Sequence, residues 1–412
     1  MGLKIVTNDM KTPMNEEHCL IKVVGVGGGG CNAVNYMEKV GVEGCQFIVC
    51  NTDAQVLNDS PVETKIRLGG GLGAGAQPEI ARNLTLESSE TIERILFADK
   101  PSMIFITAGM GGGTGTGASP IIAKMAKEKG ILTVGVITVP FRNEGSEIYS
   151  RAVDGIQLLK ENVDSLIIID NEKLYSNYEN VPIHEALPKV DEVLATAVRS
   201  VTEIISKKGL ENVDFRDISN MMKSSGMAII GTGNSDSENR VRDAVDQALS
   251  SELLYDLDLS TAKNVLVNIT VPMSQQGFIM KELKDVNDYI KEKTGKANFF
   301  KRGIILDNSP ERGENVSITI IATGFKMANI SNIVDIDEGN LVTIDSDFKA
   351  TRVVSQRNSV ADEARTTIKI GLSSTLNKRR FNFNGVKPAL CVKNTDDISS
   401  LENMSAIRRN IK

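Results

Sequence analysis

A chain of 412 residues exceeds what one ordinary core organises, so two domains and a tail are expected. Hydrophobic residues make up 41%, charged residues 24% and aromatics only 4%, which predicts a folded chain with an aliphatic core. A net charge of -6 speaks against nucleic acid as a partner, because gripping a phosphate backbone takes a basic face. The five cysteines (19, 31, 45, 50 and 391) lack metal-ligand spacing and only two His accompany them, so free thiols in a reducing compartment are expected rather than a protein-held metal. No run approaches the roughly 20 apolar residues of a membrane span, so no direct membrane insertion is expected.

Residues 1–19 read as an N-terminal extension without the apolar core of a secretory leader. Ile21 to Val26, Gln46 to Asn51, Ser102 to Thr107, Ile131 to Val139 and Ser165 to Asp170 are apolar nearly throughout, as strands covered on both faces are. Helical patterns lie between them, among them Pro78 to Phe97 and Ile121 to Lys129. This alternation predicts an α/β class, with a doubly wound parallel-sheet nucleotide-binding domain over 20–186. Leu187, Val190, Leu194, Val198, Val201 and Ile205 then recur at spacings of three and four, predicting a long central helix over 187–209. It ends at Lys207-Lys208-Gly209, where cations suit the helix dipole and Gly suits the cap.

Beyond it, strands Met227 to Ile230, Asn264 to Thr270, Gly303 to Asp307 and Val316 to Thr323 alternate with helices Ser237 to Ser250 and Gly277 to Lys293. They predict a smaller α/β domain over 210–328. Residues 329–395 lose sustained periodicity and read as a flexible linker, although Asn340 to Ile344 and Thr366 to Ile370 have strand character.

Two glycine tracts carry the chemistry. Gly25-Val26-Gly27-Gly28-Gly29-Gly30-Cys31-Asn32 follows a buried strand and precedes a helix expected from about Ala33. Glycines there let backbone approach an anion, and the helix start supplies free N–H donors. A tight structural turn would use the same glycines. The tract also satisfies G-x-G-x-x-G, with Asp53 at the end of the next strand where a ribose-binding acid belongs, so a dinucleotide-dependent oxidoreductase is a rival reading. The second tract, Gly109 to Gly117, adds Thr114 and Thr116 to the glycines, a composition suited to wrapping a di- or triphosphate. A dehydrogenase has no need of a second such loop.

Gly111-Gly112-Gly113-Thr114-Gly115-Thr116-Gly117 resembles the signature loop of the tubulin/FtsZ family of GTPases. Asn51 to Gln55, Gly71 to Ala76, Pro140-Phe141 through Glu144-Gly145, and Asn212 to Asp217 resemble further motifs of that family, in the family's order, so that the likeness covers about residues 20 to 325.

The resemblance implies that GTP or GDP phosphates, with Mg2+, are held by Gly28, Gly29, Gly30, Cys31 and Asn32 and by Gly112, Gly113, Thr114, Gly115 and Thr116. It gives Glu144 a ribose contact and Asp191 guanine recognition, against an ordinary solvated helix residue. Asp214 and Asp217 would activate water, with Asn212 positioning it, in the nucleotide site of the next subunit of a head-to-tail polymer, although Asp214 or Asp217 would also serve as a helix N-cap.

Ile148 stands where the family carries an Arg, and Arg151, three residues on, lies on nearly the same helix face. The loop before Gly71 is short and lacks Thr. The end of the chain, 396–412, carries apolar residues beside Arg408 and Arg409 and loosely resembles the family's peptide for membrane-tethering and regulatory division proteins, a solvated basic end being the plainer reading. Taken together, the resemblance implies a cytoplasmic, self-polymerising GTPase at the division site. A relative that binds GTP without hydrolysing it is a third reading.

Overall fold

Strands that are apolar on both faces require cover on both faces, and here they receive it. The computed structural model describes residues 21–207, 209–250, 258–273, 277–295, 297–307 and 313–325, with short segments at 341–344, 350–352 and 381–382. Strands β1 (Ile21–Val26), β2 (Gln46–Asn51), β3 (Thr64–Arg67), β4 (Met103–Gly109), β5 (Leu132–Val139) and β6 (Ser165–Asp170) run parallel in the order β3-β2-β1-β4-β5-β6. The winding reverses between β1 and β4. In such sheets the crevice beyond the carboxyl ends of those two strands is where ligands bind.

The crossovers are α1 (Gly27–Lys39), α2 (Ala54–Asp59), α3 (Pro78–Glu87), α4 (Ser89–Ile92), α5 (Thr114–Glu128) and α6 (Ser146–Asn162). Two helices begin earlier than expected, α1 at Gly27 instead of about Ala33 and α5 at Thr114 instead of Ile121, so each glycine tract forms the first turn of its helix. The single helix expected over 78–97 is interrupted at Ser88, whose backbone leaves helical geometry, and finishes in a π-helical turn at Glu93–Phe97. That turn presents the Ile95 carbonyl to the buried Lys22 ammonium at 3.0 Å, and Asp99 completes its pairing at 2.6 Å.

After α7 (Lys173–Asn177) and α8 (Ile183–Ala186), the central helix α9 spans Pro188–Ser206. Val190, Leu194, Val198 and Val201 are buried as the spacing required, whereas Leu187 is exposed just before the helix begins and Ile204 is buried rather than Ile205. Then follow α10 (Phe215–Met222), β7 (Gly226–Ser235), α11 (Arg240–Leu249), β8 (Asn264–Pro272), α12 (Met280–Thr294), β9 (Phe299–Asp307) and β10 (Val316–Phe325).

This second half does not build a separate sheet. β7 joins β6 through two residue pairs, Ser165↔Gly226 and Leu166↔Met227, and the order continues β7-β10-β8-β9 to make ten strands. Antiparallel β7–β10 and β10–β8 pairs distinguish it from the parallel half.

The narrow junction is reinforced by Asp164, a buried carboxylate that accepts hydrogen bonds from Thr133 N at 3.0 Å and Ser224 N at 3.2 Å. Beside it the Ser165 hydroxyl donates to Met222 O at 2.8 Å. A hydroxyl chain, Ser200 to Thr232 to Thr319, ties α9, β7 and β10 together at 3.0 Å per link.

Within the segment read as patternless, β11 (Leu341–Ile344), β12 (Ala350–Arg352) and β13 (Phe381–Asn382) make a three-stranded antiparallel sheet of their own. The strand expected from Asn340 is thus present from Leu341. Thr366 to Ile370, the 1–19 extension and the 396–412 peptide lie outside the described residues.

Replacing Asp164 with Ala strands two backbone donors at the junction. It is expected to cost on the order of 2–4 kcal/mol in denaturant unfolding, with Asp164→Asn costing less because one acceptor survives.

Candidate nucleotide site

The site begins with close backbone contact. Gly27 turns the chain from β1 directly into α1 with φ +73, and a Cβ on it would meet Gly115 N at 2.7 Å. A Cβ on Gly30 would stand 2.3 Å from Thr107 O, and one on Gly29 would stand 3.3 Å from Gly109 Cα. These glycines therefore let the first turns of α1 and α5 lie against each other beyond β1 and β4. Neither helix has a side-chain N-cap or an acid in its first turn. Two neighbouring sets of N–H donors and two positive dipole ends thus converge at the winding reversal, a geometry suited to an anion.

Not every residue of the two tracts faces outward. Gly28, Gly29, Asn32 and Gly112 are exposed, and a Cβ on Gly28 or Gly112 would meet nothing within 4 Å. Gly30, Gly113 and Gly115 are buried packing positions. The Cys31 thiol points inward, 3.8 Å from Asn51 Nδ2, and burial lifts it to about 11, so any contact it makes with an anion is through its backbone. Thr116 uses its hydroxyl to accept from Gly111 N at 2.9 Å, bracing the loop.

Around this centre the other motifs assemble. Thr114 Oγ1 lies 2.7 Å from Thr52 Oγ1. The Gly71–Ala76 loop is laid on the end of β2 by Ala54 N to Gly71 O at 3.0 Å and Gly73 N to Thr52 O at 2.9 Å, and it backs Gly113 through Ala74 and Gln77. Asp53 spends its carboxylate on Gln55 N at 2.8 Å as the N-cap of α2. Ile148 packs against Gly111, and Arg151 Nε donates to the Gly111 carbonyl at 3.2 Å. Arg151 thus braces the loop from the helix face where an arginine was expected.

Toward β6, Glu144 accepts from Phe141 N at 2.8 Å, and the Phe141 and Tyr175 rings sit 5.0 Å apart. Asn171, just past β6, has a buried side-chain oxygen without a hydrogen-bond partner, an unused acceptor on the carboxyl edge of the sheet. The Asn51 to Gln55 motif contained Thr52 without giving its side chain a part, and Asn171, directly after the β6 run, belonged to no motif. Asp191 stands in the first turn of α9, where burial pushes its carboxyl up to about 6.

Asn212, Asp214 and Asp217 are elsewhere. The far end of α9 lies by Gly44, where a Cβ would be 3.5 Å from Thr202, and Gly44 precedes β2 at the amino edge of the parallel strands. The acid loop follows that end. Asn212 Oδ1 accepts from Gly209 N at 2.7 Å, and Asp214 and Asp217 form a reciprocal capping box on α10, at 2.8 and 3.3 Å. The nineteen residues of α9, at about 1.5 Å each, put about 28 Å between its two ends.

Comparison with known proteins decides which ligand the fold serves. Residues 20–179 match the Tubulin/FtsZ family GTPase domain, and residues 226–326 match the FtsZ family C-terminal domain. The chain is 43% identical over 337 residues to the cell division protein FtsZ of Pseudomonas putida, covering 81% of this chain and 83% of that one.

The chain belongs to the tubulin/FtsZ family.

Cell division protein FtsZ 1 of Thermococcus kodakarensis is 42% identical, with 77% of this chain and 84% of the relative covered. A solved FtsZ dimer from M. jannaschii superposes with a TM-score of 0.66 at 38% identity, covering 74% of this chain and 88% of that one. CetZ2 of Haloferax volcanii, solved as a GTPγS-bound protofilament, shares the fold at 19% identity with a TM-score of 0.64, covering 76% and 95% of the two chains. The chain is accordingly a guanine-nucleotide GTPase, and the oxidoreductase reading falls with Asp53 already committed to a helix cap.

The two kinds of glycine separate in experiment. Gly112→Ala is expected to fold with unchanged thermal stability yet lose roughly tenfold or more in GTP affinity, because its Cβ enters the open space. Gly115→Ala, driven into Gly109 O, is expected to lower thermal stability even without nucleotide.

Proposed function

We propose that this GTPase polymerises head to tail and hydrolyses GTP only between subunits, the glycine loops of one meeting Asn212, Asp214 and Asp217 of the next. The observation that carries this reading is the α9 geometry: one chain sets its phosphate donors beyond the carboxyl ends of β1 and β4, and its acid loop follows the far end of a helix about 28 Å long that reaches the amino edge of the parallel strands. Two edges that complete each other form a heterologous interface, and repetition of such an interface gives an open filament.

In this assignment Gly28, Gly29, Asn32 and Gly112 to Thr116 hold the phosphates, with Gly30 and Cys31 shaping the turn, Glu144 beside the ribose and Asp191 on guanine. Mg2+ would accompany GTP and supply positive charge that neutralises its β- and γ-phosphates. Asp214 and Asp217 polarise the attacking water, and Asn212 positions it. The filament acts in the cytoplasm at the division site, and the 396–412 peptide binds membrane-tethering and regulatory division proteins. The cell-division names of the relatives at 42–43% identity support that setting.

The total rate of GTP turnover is expected to be near zero at low protein concentration and to rise linearly with concentration above a threshold; strict proportionality throughout would contradict assembly of the site. Asp214→Ala is expected to bind GTP and sediment as polymer while hydrolysing poorly.

Asp191 adds a pH dependence. As a carboxylate it accepts from the guanine edge, so GDP affinity is expected to fall several-fold as pH drops through about 6 and to become flat with pH in Asp191→Ala, read by calorimetry. Asp191 itself does not destabilise the fold there. A carboxyl raised to about 6 takes up a proton that the unfolded chain does not, so this group stabilises the nucleotide-free fold as pH falls through that value.

A further inference from the structure

The acid loop is held by more than its own capping box. Its backbone pairs with the outer edge of β9: Leu210 N donates to Ile304 O at 2.7 Å, and Ile304 N donates to Glu211 O at 2.9 Å. Two consecutive β9 residues then reach the loop with charge. Arg302 forms a fork with Glu211, Nε to Oε2 at 2.9 Å and Nη2 to Oε1 at 2.7 Å. Lys301 Nζ lies 2.9 Å from Asp217 Oδ2. Successive strand residues point to opposite faces, so the two cations grip the loop from both sides of the sheet edge.

These pairs are too exposed to matter much for stability, since surface ion pairs contribute about 0–1 kcal/mol. What they change is orientation and charge. Glu211, Asp214 and Asp217 bring three negative charges within seven residues, and Arg216, Lys301 and Arg302 bring three positive ones. Without the cations, an acid loop approaching a nucleotide triphosphate would be repelled by it. The fork also fixes Glu211, the residue directly before Asn212, in two hydrogen bonds of defined plane.

We propose that Lys301 and Arg302 are positioning residues for hydrolysis between subunits: they hold Asn212, Asp214 and Asp217 in register for the neighbour's nucleotide and cancel the charge that would oppose docking. This rests on the reading that the loop completes the neighbouring site. Neither cation is assigned a contact with the nucleotide of its own chain, whose phosphate loops lie at the other edge of the sheet.

The test uses the full chain with Lys301→Met, Lys301→Arg, Arg302→Glu, Glu211→Arg and the exchanged pair Glu211→Arg/Arg302→Glu. GTP affinity, sedimented polymer and turnover per sedimented subunit are measured, with Asp214→Ala alongside. GTP affinity is expected to be unchanged throughout. Turnover per sedimented subunit is expected to fall roughly tenfold in Lys301→Met and in each single fork variant, the scale of a sub-ångström misplacement, and to recover in Lys301→Arg and in the exchanged pair. Added salt should narrow the gap in assembly threshold between Lys301→Met and the parent, since screening relieves repulsion.

A higher assembly threshold with unchanged turnover per sedimented subunit would make the pairs merely structural and overturn the proposal. So would an exchanged pair as slow as the single variants, an outcome that stays informative even if a single variant folds poorly. If Asp214→Ala loses turnover while the clamp variants keep it, only this inference fails. If Asp214→Ala keeps turnover, the reading of the loop fails first and this inference with it.

Discussion

A rigid helix sets the terms for everything else in this molecule. α9 packs against α1 and β7 along its buried face, and its length separates the donors that can bind a polyphosphate from the acids that can activate water. No hinge within α9 interrupts that separation, because its interior is free of Gly and its one Pro stands at the first position, where a helix tolerates it. A chemistry that needs both ends must therefore recruit a second molecule. The proposed heterologous interface and the dependence on concentration expected of it follow from that constraint.

At the phosphate end, rigidity comes from absent side chains. Gly27, Gly30 and Gly115 sit where a Cβ would strike backbone, which locks the starts of α1 and α5 together and leaves their N–H groups uncapped. Gly28 and Gly112 sit where a Cβ would project into open space. The same residue type thus does two jobs within a few positions, close packing below and clearance above. At the other end the acids are fixed by hydrogen bonds instead, with Asp214 and Asp217 capping α10 while their remaining oxygens are available for other work.

Much of this was legible in the chain alone. Five aliphatic runs marked five of the six parallel strands, and the spacing from Val190 to Val201 located the central helix to within one residue at its start and three at its end. β3 escaped notice because Thr64–Arg67 buries only Ile66, leaving no alternating or continuous apolar pattern. The early starts of α1 and α5 were hidden because glycine has low helix propensity, which tertiary packing overrode here. The π-helical turn at Glu93–Phe97 meets a buried Lys from a strand far away in sequence, a contact that local pattern does not encode.

In the candidate site, residue types and spacing pointed to two glycine loops, which the fold sets side by side after β1 and β4, but not to which of their atoms face out. Cys31 and Thr116 read as ligand contacts, yet their side chains serve the interior. The continuity of the sheet through Ser165 and Gly226 and the grip of Lys301 and Arg302 on the acid loop are contacts across long sequence separations, which local pattern does not encode.

The central claim is that one chain supplies the phosphate loops and another the acids. Mixing two defective variants tests it most directly: one impaired in GTP binding at Gly112 with its acids intact, the other Asp214→Ala with its loops intact, with co-assembly checked by sedimentation. The account predicts that each alone hydrolyses GTP poorly and that the mixture regains turnover at interfaces where the intact loop faces the intact acids. A co-assembled mixture no faster than the sum of its parts would place both groups in one chain and contradict the account.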